Sequence, residues 1–140
     1  MISRTHFGAY PFSFLIGFFA YCFFEIAIRG RTHWTMGILG GGTLCMLLCF
    51  ERHLHHPVRS ALLGAIYITA AEFCVGVYVN LYRGWQIWDY TNLTFQLYGQ
   101  ISLLFSCIWF LLCVPGCFLC RIIDRQFIGT TNASSNLHNI

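Results

Sequence analysis

Residues 83–100 read RGWQIWDYTNLTFQLYGQ, and this stretch decides how the rest of the chain must be arranged. It is the one long segment that is neither a clean apolar run nor a plain charged loop. Trp85, Trp88, Tyr90 and Tyr98 crowd into it beside Arg83, Asp89 and Asn92. Trp and Tyr favour the level of a membrane surface, where the ring sits in apolar surroundings and the N–H or O–H reaches water. An apolar segment flanks the stretch on each side, so it is expected to form an interfacial aromatic corner between two membrane spans. Asp89 and Asn92 suit Asx-type hydrogen bonds to the following backbone, while Gly84 and Gly99 permit a sharp entry and exit. Non-helical backbone at membrane depth survives only when it is buried in protein or lines a cavity. Such a corner either plugs the outer end of a helix bundle or forms the floor of a site.

Working outward, the run before the corner, 60–81, starts just after Pro57 and carries Glu72 as its sole charge. The run after it, 101–119, has Pro115 and Gly116 near its end, where a kink is expected, and is closed by Arg121, Asp124 and Arg125. Nearer the N-terminus, 10–28 is apolar except for Ser13 and Glu25, with Pro11 suited to a first helical turn. A cleaved signal peptide is the competing reading of this run. It is too long for an h-region, contains Glu25 and lacks an A-x-A cleavage site, so a retained first span is expected. The polar turn RGRTHW separates it from 35–50, a short run thinned by Gly37, Gly40, Gly41 and Gly42. Gly37 and Gly41 make a G-x-x-x-G, which lets two helix backbones approach closely in lipid. This run either crosses the membrane or re-enters it; freedom from charge and its end in ERHLHH favour crossing. The expected fold is all-α: a polytopic membrane protein with a four-transmembrane-helix bundle, one domain over 1–128, and a flexible polar tail over 129–140.

Composition agrees. A chain of 140 residues is one domain, and it is 57% hydrophobic with 9% charged residues, against roughly 25% charged in soluble domains. That excludes an ordinary water-soluble protein, and disorder as well. All eight basic residues are Arg, scattered singly between apolar runs. No clustered basic face exists to bind nucleic acid; the lipid bilayer is the expected partner. With four spans, Arg4, Arg52, Arg59, Arg121 and Arg125 fall on one side and Arg29, Arg31 and Arg83 on the other. By the positive-inside rule both termini are expected in the cytoplasm. The first helix alone argues the opposite, unless Glu25, one turn before Arg29, masks that charge. The eight cysteines lie in apolar runs or at the edge of one. They read as small hydrophobes rather than a disulfide framework.

Ionisable groups inside spans are the strongest functional pointers, because each costs several kcal/mol unless paired or hydrated. Glu25 and Glu72 are the two candidates, both in odd-numbered spans and so running in the same direction. They are expected to meet in one polar site opening towards Arg29, Arg31, Arg83 and Asp89. Two roles stand open for them: a proton- or cation-responsive site lining a path, or structural pins between helices. A weak internal echo (a Glu-bearing span ending in Arg-Gly, then a Trp-bearing turn, then an apolar span) matches the parallel repeats of some transporters. His53, His55 and His56 suggest zinc, yet only Glu51 is near to complete a ligand set, and the Cys113, Cys117, Cys120 face lacks close thiolate spacing. No metal and no cofactor are expected. With no Lys there is no G-x-x-x-x-G-K-[ST] loop, and no catalytic signature such as G-x-S-x-G occurs. Asn92-Leu93-Thr94 and Asn132-Ala133-Ser134 are formal glycosylation acceptors in a secretory pathway.

Glu25 late in span one, the Gly-rich second span, Glu72 in span three, and Trp88-Asp89-Tyr90-Thr91 followed by Gly99-Gln100-Ile101 together resemble a bacterial family of small membrane proteins. That family is labelled ABC transporter permease, or ABC-transporter type IV; a vertebrate family of small transmembrane proteins is distantly similar. The resemblance covers about residues 10–124. It implies a shared core of Glu25, Glu72, Trp88, Asp89, Tyr90, Gly99 and Gln100. The family often carries Asn two or three residues before that Gly, where this chain has Gln96 and Leu97. The expected function is a permease-like membrane subunit of a transport system. A homo-oligomer and a cytoplasmic ATPase subunit, docked at 51–59, are its implied partners. The alternatives are a non-catalytic scaffold or regulator packed through Gly37 and Gly41, and a lipid-acting enzyme using Glu72 or Asp89 as base with Arg83 on a head group.

Overall fold

A computed structural model describes residues 8–137, with only the backbone described beyond residue 128. Arg4 and the side chains of the 129–140 tail therefore lie outside the described residues. The helices are α1 (Ala9–Arg29), α2 (Trp34–Leu54), α3 (Pro57–Gly76) and α4 (Leu103–Leu137). α3 runs without a break into a π-helical segment, Val77–Tyr82. Strands β1 (Gln96–Leu97) and β2 (Ile101–Ser102) pair antiparallel, with Gln96 opposite Ser102 and Leu97 opposite Ile101. Ala9–Arg29, Trp34–Leu54, Pro57–Tyr82 and Leu103–Ile128 are each long and apolar enough to cross a membrane. The protein is an all-α, multi-pass membrane bundle with a corner between its third and fourth spans. α4 stays helical through Pro115.

Polar residues at the helix ends set the connections. Gly30 takes a left-handed conformation (φ 70°) and its N–H returns to the Ile26 carbonyl, ending α1. His33 then caps α2, its Nδ1 accepting from the Thr35 N–H at 3.4 Å. At the far end His55 is left-handed (φ 52°) and closes α2 onto the Glu51 carbonyl. His56 caps α3 by accepting from the Arg59 N–H, with Pro57 in the first turn, where its missing N–H costs nothing. His53 donates from Nδ1 to the Cys49 carbonyl at 2.7 Å. Each histidine of the ERHLHH stretch thus has a role in ending or starting a helix. No group of three or more potential metal ligands comes together among the described residues.

The outer surface is built for lipid. Phe12, Leu15, Phe19 and Phe23 on α1, Leu62 and Ile66 on α3, and Leu111, Phe118 and Ile122 on α4 are all exposed. Apolar exposure on this scale is untenable in water and ordinary against acyl chains. α2 is the reverse, the most buried of the four spans. Lipid tails are as apolar as the helices, so association rests on close packing, and the glycines of α2 supply it. A Cβ on Gly17 would stand 2.4 Å from the Gly40 carbonyl oxygen, and one on Gly40 2.5 Å from that of Gly17. The G-x-x-x-G face is filled from within the chain: Gly37 meets the Phe18 ring and Gly41 the Phe14 ring.

The interior divides into two clusters. Towards the termini, Leu44, Leu47, Leu48, Cys113, Cys117, Cys120 and Ile123 pack together. The cysteines are free thiols serving as small apolar side chains. Beneath the corner, Tyr21, Met36, Ile68, Val79, Trp88, Tyr90 and Trp109 form the second cluster. Gly40→Ala drives a methyl into the backbone of α1 and is expected to lower stability by about 2–3 kcal/mol, at the upper end of overpacking costs. Gly42→Ala meets only the Tyr67 hydroxyl, at 3.1 Å, and should cost less than about 1 kcal/mol. Thermal unfolding of the two variants in detergent, followed by tryptophan fluorescence, checks the contrast.

Candidate functional site

Helical spacing puts the polar groups on inner stripes. Along α1 the buried residues are Ala9, Ser13, Gly17, Tyr21 and Glu25, so Tyr21 and Glu25 stack one turn apart on the inward face. Glu72 lies on the buried face of α3 between Ile68 and Gly76. Trp109 faces inward from α4, one turn before Cys113.

These elements converge on Glu72, which is 1% exposed. Its Oε1 accepts from the Tyr21 hydroxyl at 3.1 Å and its Oε2 from Trp109 Nε1, also at 3.1 Å. The donors brace each other, the Tyr21 and Trp109 rings stacking with centroids 5.0 Å apart. No cation pairs with this carboxylate among the described residues. Glu25, Arg29 and Tyr90 stand within electrostatic reach of it. Glu25 itself forms an ion pair with Arg29, Oε2 to Nη1 at 3.0 Å. The second amino group of Arg29, Nη2, donates to the Ile87 carbonyl at 2.6 Å, tying the end of α1 to the corner.

The corner closes the bundle above Glu72. Its hub is Asn80, in the π-helical segment: Nδ2 donates to Gln100 Oε1 at 2.8 Å, and Oδ1 accepts from the Ile87 N–H at 2.7 Å. The Trp88 indole donates to the Gln100 carbonyl at 2.9 Å, and the Tyr90 N–H to that of Gly99 at 2.8 Å. Gly76 lets Trp88 and Gln100 settle onto α3, since a Cβ there would be 2.6 Å from Gln100 Oε1. Gly99 is needed for its φ of +70°, with Asp89 and Thr91 pressed against it. Tyr90 stacks on Phe105 at 4.6 Å. Burial pushes its phenol above the ordinary range, so it stays protonated.

Of the residues singled out from the sequence, Glu25 and Arg29 pair with each other, Glu72 is bonded instead to Tyr21, one turn before Glu25 on α1, and to Trp109, and Trp88, Tyr90, Gly99 and Gln100 are buried in the corner. Arg83 does not join them; it is exposed, with its guanidinium 5.2 Å from the centre of the Trp85 ring. Asp89 is exposed too and accepts from the Thr91 N–H at 2.9 Å, the Asx-type bond of the corner. Asn92 lies on the surface. Sequence reading did not select Tyr21, Trp109 or Asn80. Asn80 carried a signal, being an amide in the apolar run VYVNLY. Tyr21 and Trp109 carried none, because aromatic residues are common throughout these spans.

Two cavities adjoin the centre. One, of about 180 Å³, is lined by Glu25, Arg29, Arg31, His33, Trp85 and Ile87. The other is an apolar cleft of about 330 Å³ between α1, α2 and α4, and both donors to Glu72, Tyr21 and Trp109, line it. A buried carboxylate held by neutral donors is equipped to take up a proton or meet a cation. Fold and site together define a multi-pass helical membrane protein with an acidic centre inside its bundle. The chain belongs to the family described as "Putative ABC-transporter type IV", whose profile matches residues 5–137. It is thereby a membrane protein of a transport-related family. No curated protein and no solved structure matches it.

Removing either donor leaves one buried carboxylate oxygen unsatisfied. Tyr21→Phe and Trp109→Phe should each destabilise by about 1–3 kcal/mol, and should cost much less when Glu72 is already Leu, which offers neither donor an acceptor. A double-mutant cycle on unfolding in detergent measures that coupling; strictly additive losses would refute it. In the corner, Asn80→Leu should cost about 1–3 kcal/mol and Asn92→Ala less than about 0.5 kcal/mol on the same scale.

Proposed function

We propose that the protein is the membrane-embedded subunit of a transport system, and that the Glu72 centre lines or gates its path. The observation that carries this reading is the position of Glu72. It is buried, has no ion-pair partner among the described residues, and is hydrogen-bonded to two of the side chains that wall the apolar cleft. Glu25 and Arg29 border the other cavity and act as its members nearer the helix ends. Four helices enclose little pathway of their own, so a homo-oligomer completes it. The chain contains no lysine, hence no lysine-bearing phosphate loop, and a separate cytoplasmic ATPase subunit supplies the energy. Both termini and the 51–59 connection, its docking site, lie on the cytoplasmic side of the cell membrane.

A second reading, a non-catalytic scaffold or regulator, has its own support. Both oxygens of Glu72 are satisfied within the chain, and Arg29 links Glu25 to the corner backbone. There the acids would serve as pins. A lipid-acting enzyme is supported less, since Arg83 and Asp89 are exposed and Arg83 turns to Trp85.

Glu72→Gln separates the two main readings. An amide can still accept from Trp109 and donate to the Tyr21 oxygen, so the fold should survive. Tagged protein purified from its own membranes should carry a nucleotide-binding subunit, seen by native mass spectrometry. The variant should retain that subunit and its expression level while losing at least about tenfold of the coupled ATP hydrolysis, about 1.4 kcal/mol in barrier. Unchanged hydrolysis would assign Glu72 to structure alone, and a chain purified without an ATPase would reject the permease reading.

A further inference from the structure

Where the corner begins, the end of the third span holds one arginine in a fixed place. The Arg83 N–H donates to the Tyr78 carbonyl and the Trp85 N–H to the Val79 carbonyl, both at 2.9 Å. The π-helical segment thus anchors the backbone on either side of Gly84, which turns left-handed (φ +68°). The Arg83 guanidinium stands over the Trp85 ring, its Cζ 5.2 Å from the ring centre. Stacking of this kind covers one face of the guanidinium and leaves its in-plane N–H donors for other partners. Arg83 makes no ion pair and no side-chain hydrogen bond among the described residues.

From Arg83 a groove of about 530 Å³ runs inward between the start of α2 and the end of α3. Leu39 and Val79 are buried at its floor, and Trp34, Ile38, Tyr78 and Trp85 form its exposed rim. Arg83 is the only charged residue in its wall among the described residues. Trp34 opens the second span and Arg83 follows the last residue of the third, so the mouth of the groove is level with the lipid head groups. The aromatic rim marks the same level. Charge at this end is unbalanced: Arg29, Arg31 and Arg83 stand against Glu25 and Asp89. Glu25 is taken up by Arg29. Asp89 accepts from the Thr91 N–H and forms no ion pair among the described residues. Arg31, in the neighbouring cavity that shares Trp85 with the groove, is likewise exposed and unpaired among them.

We propose that this groove binds an anionic phospholipid: the phosphate accepts from the Arg83 guanidinium, and one acyl chain lies between α2 and α3 over Leu39 and Val79. Charge complementarity sets the class of lipid. A phosphodiester matches the planar fork of an arginine, and every phospholipid offers one. Only a lipid with net negative charge is attracted further by the second unpaired cation, Arg31. A choline ammonium would instead be carried into a positive field. The site holds the lipid and requires no chemistry on it. It contains no member of the Glu72 centre, so the proposal stands apart from any role of that acid in transport.

Native mass spectrometry of the delipidated full chain tests it, with dioleoyl phosphatidylglycerol and dioleoyl phosphatidylcholine titrated in turn. The glycerol lipid should bind about tenfold more tightly, the scale of one or two basic residues against an anionic lipid. Equal affinities, or preference for the choline lipid, would overturn the site. Arg83→Gln, on the surface, should weaken the glycerol lipid about tenfold, whereas Arg59→Gln, exposed at the opposite end of the third span, should leave it unchanged. Unaltered affinity in Arg83→Gln would refute the phosphate contact. Ile38→Trp reads the groove itself. Ile38 is exposed on the lipid face, so the larger ring should fill the groove without disturbing the fold and lower the affinity for both lipids; unchanged affinities would refute the seat of the acyl chain. Glycerophosphoglycerol should fail to displace the bound lipid at millimolar concentration; displacement would point to a soluble phosphodiester and overturn the lipid assignment.

Discussion

A carboxylate inside a bilayer must be hydrogen-bonded from within the protein, because no water is there to do it. Glu72 imposes this on the whole bundle. Its two oxygens draw a hydroxyl from α1 and an indole N–H from α4, so three helices are registered against one another by one side chain. Leucine in its place would pack with any of several rotations. Two directional bonds admit few, and the stacking of Tyr21 on Trp109 narrows them further. The polar centre thus has a structural consequence whatever passes through it.

α2 meets the same demand differently. Its glycines contribute little apolar surface, and by composition it is the weakest span of the four. In lipid, however, close approach counts for more than apolarity. Gly17 and Gly40 bring two backbones together, and Phe14 and Phe18 lie in the shallow groove left by Gly41 and Gly37. The short, Gly-rich run that reads poorly as a lipid-facing helix is the bundle's buried centre.

Apolar runs broken by Arg, His and Pro were enough to read four crossings and a corner, because a membrane leaves a chain few alternatives. Glu25, Arg29 and Glu72 were visible for the same reason: charge within an apolar run stands out. Arg83 stood out equally and lies elsewhere, since sequence spacing does not tell whether a side chain after the last helical turn points back into the bundle or out over Trp85. Tyr21 and Trp109 were hidden by the many other aromatic residues, which differ from them only in the face they occupy. The π-helical segment could not be read at all. Nothing in VYVNLY distinguishes it from an α-helix until Asn80 is seen to need both Ile87 and Gln100.

That segment carries one residue more than an α-helix of the same rise would hold. Such a bulge is what a single-residue insertion into a helix leaves behind, absorbed locally instead of being passed down the chain. Each helical residue turns the chain by about 100°. Deleting one residue between Val77 and Asn80 would turn Asn80 out of register with Ile87 and Gln100, while Glu72, upstream, would keep its place. The length of this segment, as much as its composition, is therefore part of what specifies the roof.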